Sequence, residues 1–130
     1  MSFNVNQVVL DGFTMHDWCF TMFASGSVDT DDIGKAVSLD TSAAATVKLA
    51  ADDDVIYGRI FQVEDRSQEG VTTVTVETRF RKKLPIADGE TVNIGDTVIG
   101  AGSGEVKAAA SASAANKVLA VADGYATVEQ

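Results

Sequence analysis

VTTVTVETRFRKKLPI, residues 71–86, alternates apolar and polar side chains with a period of two, the pattern of a half-buried β-strand. Carried through the run, the alternation puts Val74, Val76, Phe80, Leu84 and Ile86 on one face. Thr73, Thr75, Glu77, Arg79, Arg81 and Lys83 fall on the other. Residues two apart on a strand lie about 6.6 Å apart on the same side. Arg79, Arg81 and Lys83 therefore make a linear cationic stripe, with Lys82 facing the opposite way. Three like charges in a row repel one another unless acidic groups oppose them. Those groups are either cross-strand neighbours in the same barrel, such as Glu64 or Asp65, or carboxylates of another chain.

Outward from this run, the C-terminal two-thirds of the chain is a succession of short strand signals. GKAVSLD (34–40) alternates, and TVKLAADDDVIYGRIFQVED (46–65) holds two β-rich runs around Asp52-Asp53-Asp54. TVNIGDTVIG (91–100), EVKAA (105–109) and KVLAVADGYATVE (117–129) supply more. Asp88-Gly89 and Asp123-Gly124 tolerate the positive φ of tight hairpins and so read as turns. Strands and turns at this spacing predict an all-β domain over 34–130, a small antiparallel β-barrel or β-sandwich. AAASASAAN (108–116) reads as a surface loop rather than a short helix. Residues 1–33 form an aromatic-rich N-terminal extension holding Phe13, Met15, Trp18, Phe20, Met22 and Phe23. Within it, Trp18, Phe20 and Met22 alternate like a strand, while Met15, Trp18 and Met22 share a helical face, so strand and helix both remain open over 13–23. The segment reads as core, or as an arm that buries Phe13, Met15, Trp18 and Phe20 against another subunit.

A chain of 130 residues with 45% hydrophobic and 22% charged residues has the composition of one soluble globular domain. It lacks an apolar run long enough to span a bilayer, and MSFNVNQ carries no secretory signature, so a membrane role is not expected. Cys19 is the single cysteine, which excludes an internal disulfide and suits a reducing cytoplasm. The formal net charge is −9, which disfavours nucleic acid as a partner because its phosphates repel such a surface. Against that background, four of the ten basic residues fall within positions 79–83. Eleven of the nineteen acids precede residue 66, so a second copy of this chain is itself a suitable acidic partner.

Sites with chemistry of their own are not expected. DTDDIG (29–34) superficially resembles a calcium loop, but Ile33 stands at its fifth position and Asp40 at its twelfth, so it reads as a solvated acidic loop. GAGSG (100–104) lies between two strand signals, not before a helix, and reads as a hairpin loop rather than a phosphate cradle. His16 is the only histidine, and Asp17 beside it points the other way on a strand. A nucleophile with its base is lacking, and soft ligands for zinc are too few. No catalytic residue, cofactor or metal is expected.

KKLPIADGETVNIGDTVIGAGSGEVKAA (82–109) followed by NKVLAVADGYATVEQ (116–130) resembles the capsid decoration, or cement, proteins of tailed bacteriophages. The shared elements are the Leu84-Pro85 strand end, the Gly95-Asp96-Thr97-Val98 run, the glycine-rich hairpin at 100–104 and a final strand pair over 117–129. GKAVSLD and VKLAADDDVIYGRI (47–60) are similar to the family's earlier strands, while residues 1–33 match none of it. The resemblance implies a β-barrel structural protein of the virion, made in the host cytoplasm, that sits on the outside of the phage head and stabilises the lattice of the major capsid protein. It also implies an oligomer, a homotrimer with a dimer as the next choice, and no enzymatic activity. Arg79, Arg81, Lys83 and the N-terminal aromatics are then the candidate subunit and capsid contacts. Two rival expectations are a virion binding module for host surfaces or glycans, using a groove lined by Trp18, and a head–tail adaptor. A hydrolase with paired carboxylates ranks behind these.

Overall fold

The computed structural model describes residues 19–66, 68, 70–111 and 116–130. Five strands close into a barrel: β1 (Cys19–Ala24), β2 (Ala36–Leu39), β3 (Thr46–Leu49), β4 (Gly58–Arg66) and β5 (Val71–Glu77), in the order β1-β3-β2-β4-β5. The chain then leaves the barrel for β6 (Arg81–Pro85) and the hairpin of β7 (Val98–Gly102) and β8 (Glu105–Ala108). It ends in β9 (Lys117–Ala122) and β10 (Tyr125–Glu129), which complete a three-stranded sheet of order β6-β10-β9. The all-β expectation holds. Strand pairing is antiparallel except between β1 and β3, which run parallel over Phe23↔Thr46 and Ala24↔Val47.

The barrel begins earlier in the chain than residue 34. Over the described part of 13–23, the strand alternative is the one adopted: Cys19–Ala24 pairs with β5 and packs Met22 and Ala24 against the barrel interior. Phe13, Met15 and Trp18 lie outside the described residues.

The alternation at 71–86 places Val74, Val76, Phe80 and Leu84 in cores, with Ile86 packed at the edge of one. They are two different cores. Val74 and Val76 fill the barrel with Val37, Val47, Ile60 and Val63. Phe80 and Leu84 belong to a second core with Val98, Val106, Val118 and Val128. The run is therefore not one strand: pairing stops at Glu77 and resumes at Arg81. Between them Phe80 exchanges both backbone hydrogen bonds with Gln130, at 3.2 and 2.9 Å, so the crossing segment is tied to the C-terminal residue.

Both cores share β2, whose Ala36 faces the second core while Val37 faces the barrel. β4 and β5 approach closely because Gly58 has no side chain. A Cβ there would lie 2.5 Å from Val76 Cγ1 and 2.6 Å from the carbonyl oxygen of Glu77.

The other turns follow their local chemistry. Asp123 and Gly124, with φ of 55° and 80°, form the two-residue hairpin loop joining β9 to β10. GAGSG forms the β7–β8 hairpin, as its sequence suggests. TVNIGDTVIG is only partly a strand: residues 91–97 turn through Gly95, whose φ is +91°, and pairing starts at Val98. In the expected loop over 108–116, Ala108 ends β8 and residues 112–115 lie outside the described residues.

Candidate functional site

The cations of residues 79–83 divide between two environments. Arg81 and Lys83 are exposed on the outer face of β6, two residues apart as the alternation requires. Arg79 is exposed in the connection before β6, so it does not extend the stripe along one strand. The break follows from the move between cores, which bends the chain between Glu77 and Arg81. The acid opposite Arg81 is Glu129 of β10, with Nη2 and Oε2 at 2.5 Å. Both side chains are solvated, at 71% and 48% exposed, so the pair contributes at most about 1 kcal/mol. In the same row, β9 sets Lys117 beside Glu129, and in the next row Lys83 lies beside Thr127.

Lys82 turns the other way, as expected, but what it meets was not legible. Its ammonium lies 2.8 Å from Glu77 Oε2 and 4.9 Å from the centre of the Phe61 ring. Glu77, which the alternation puts on the solvent face, is only 1% exposed. Its carboxylate is enclosed by side chains from the barrel and from β6, the strand that carries Lys82. Arg59 completes the arrangement, with Nη1 3.0 Å from Glu77 Oε1 and Nε donating to the carbonyl of Lys83 at 3.0 Å. One carboxylate with two cations thus joins the barrel to the second sheet. Arg59 is 18 residues from Glu77 and no local pattern announces their pairing.

Cys19 sits opposite Glu77 in the β1–β5 register. Burial raises its thiol pKa, and the negative charge of Glu77 raises it further against the opposing effect of Lys82. Both effects favour the protonated thiol.

Phe20 and Phe23 on β1 are about half exposed, and Phe61 on β4 is similarly open. Phe20 is thus available to a partner in this chain.

The acidic motifs act locally. DTDDIG is largely solvated, with Asp29, Thr30, Asp31 and Ile33 exposed, and it folds as a 3-10 turn over Thr30–Asp32 with a reciprocal cap between Asp29 and Asp32. Asp32 is 7% exposed and lies 2.9 Å from Lys35, whose pKa it raises by hydrogen bonding. Asp52 and Asp53 both hold Lys107, at 2.6 and 2.9 Å. Asp54 accepts from Ser38 Oγ at 2.8 Å and from the Ala51 amide at 3.0 Å, and these bonds lower its pKa. Among the described residues no three His, Cys, Asp or Glu side chains converge to hold a metal ion. No helix among them is long and apolar enough to cross a membrane.

Arg81, Lys83 and Lys117 present charge from the paired β6-β10-β9 sheet, and Phe20, Phe23 and Phe61 are half-open on the barrel strands. No protein-family model, no curated protein and no solved structure matches the chain.

Proposed function

We propose that this chain is a structural protein of a phage virion, a cement protein that binds the outside of the head and stabilises the lattice of the major capsid protein. The observation that carries this reading is the cluster of exposed cations Arg81, Lys83 and Lys117 on a chain of net charge −9, set on a paired sheet whose Lys82 lies over the half-exposed Phe61. Such a face is suited to an acidic protein surface. The sequence resemblance over residues 34–130 supplies the identity of that surface. The function needs no enzymatic step: many weakly held copies engage one shell, and multivalency raises avidity by about 10²–10⁴-fold without new kinds of contact. Copies act as a homotrimer, with the N-terminal aromatics and the basic face shared between subunit and capsid contacts.

The test is binding of purified protein to phage heads that lack a decoration protein, read by cosedimentation and electron microscopy. The Arg79→Glu/Arg81→Glu variant is expected to keep the β-sheet circular dichroism and to bind more weakly. The loss is about 2–5 kcal/mol if the arginines become buried at the contact, and far less at a solvated rim. Unchanged head binding by the variant at low salt, or no binding by the native chain, overturns the reading.

A further inference from the structure

The second sheet is electrically polar along its strands. At one end Arg81 and Lys117 flank Glu129 of β10, and Lys83 stands two residues further along β6, opposite Thr127 at mid-strand. At the other end the Asp123-Gly124 turn closes on β6, with the Ile86 amide donating to the Gly124 carbonyl at 2.9 Å. From Ile86 the chain continues directly to Asp88 and Glu90. There a groove of about 380 Å³ is lined by Ile86, Asp88, Glu90, Val92 and Val121. Asp88, Glu90 and Asp123 are exposed and form no ion pair among the described residues, and neither do Lys83 and Lys117. Two unmatched charge sets of opposite sign thus stand on one sheet, with Lys117 at the end away from the Asp123-Gly124 turn and Lys83 between the two ends.

We propose that copies of this chain associate head to tail, with the Lys83 and Lys117 surface of one sheet seated at the Asp88–Glu90 groove, beside Asp123, of the next. Two molecules of net charge −9 repel in most orientations, and joining the basic end to the acidic end is the approach that this sheet favours. Leu119 is 41% exposed near Lys117, and Val121 is 39% exposed in the lining of the groove, so each surface adds an apolar contact to its charges. A contact between two different surfaces repeats from copy to copy and closes into a ring when its rotation permits. This deepens the self-association in the proposed function, but it needs no capsid.

The experiment measures mass in solution by sedimentation velocity, with protein at about 100 μM. The native chain is expected to associate at low salt, with at least tenfold weaker association in about 0.5 M salt, where charges are screened within a few ångströms. Lys83→Glu/Lys117→Glu and Asp88→Lys/Glu90→Lys, each alone, are expected to weaken association at least tenfold. An equimolar mixture of the two recovers it, because every basic surface then meets an acidic one. The neutral variant Lys83→Gln/Lys117→Gln, which carries the least risk to folding, is expected to weaken association in the same direction. A native chain that stays monomeric, a reversed or neutral variant that associates like the native chain, or a mixture that stays monomeric overturns the proposal. Head binding is scored separately, so the failure of one reading leaves the other standing.

Discussion

Glu77 shows how far a single position can depart from its local pattern. It ends a run that alternates correctly, yet its carboxylate is buried between Arg59 and Lys82. Burying a charge is costly unless partners surround it, and removing one member of such a group is worse than never having built it. Glu77→Ala leaves the largely buried Arg59 guanidinium without its carboxylate and is expected to lower stability by about 3 kcal/mol in urea unfolding. Lys82→Ala removes a more solvated partner and is expected to cost about 1 kcal/mol. Equal losses from the two variants would mean that Arg59 does not depend on Glu77 in the way the geometry implies. Arg81 is the contrasting residue. Its pattern predicted an exposed cation, its position is as predicted, and its partner is a neighbour on the adjacent strand of its own sheet.

Asn116, just before β9, does at the level of an element what a strand neighbour ordinarily does. It is 4% exposed, its Oδ1 accepts from the Val98 amide at 2.9 Å, and its Nδ2 donates to the Val98 carbonyl at 3.2 Å. One side-chain amide thereby satisfies both backbone groups of the first residue of β7 and fastens the β7–β8 hairpin beside β9. Asn116→Ala is expected to cost about 1–3 kcal/mol, since two buried backbone groups lose their partners. The Val98 amide should then exchange its hydrogen faster than those of the barrel strands in hydrogen-exchange mass spectrometry. Uniform acceleration across all strands would place the role of Asn116 in global stability rather than in this junction. The sequence marks Asn116 only as the end of a small-residue stretch, because its function depends on a strand 18 residues earlier.

For the whole molecule, the feature that matters is two cores with shared walls. β2 contributes Ala36 to one and Val37 to the other, and Glu77, Arg59 and Lys82 bridge the barrel to the second sheet. Neither core can open without exposing part of its neighbour, so unfolding is expected to be a single cooperative transition. Calorimetric and van't Hoff enthalpies should agree. Two resolved transitions would show that the barrel and the second sheet fold independently.

The linear chain dictated the all-β class, most strand positions, the Asp-Gly turns and the outward basic pair Arg81 and Lys83. These depend on the period-two alternation and on residues that tolerate positive φ, both of which act over a few neighbours. Three-dimensional packing had to supply the barrel closure through Cys19–Ala24, the division of one alternating run between two cores, and the burial of Glu77. An alternating pattern says that a face is covered, but not by what, because the covering residues are far away in sequence. Whether a charge ends in water or in a salt bridge is decided by which distant side chains meet it.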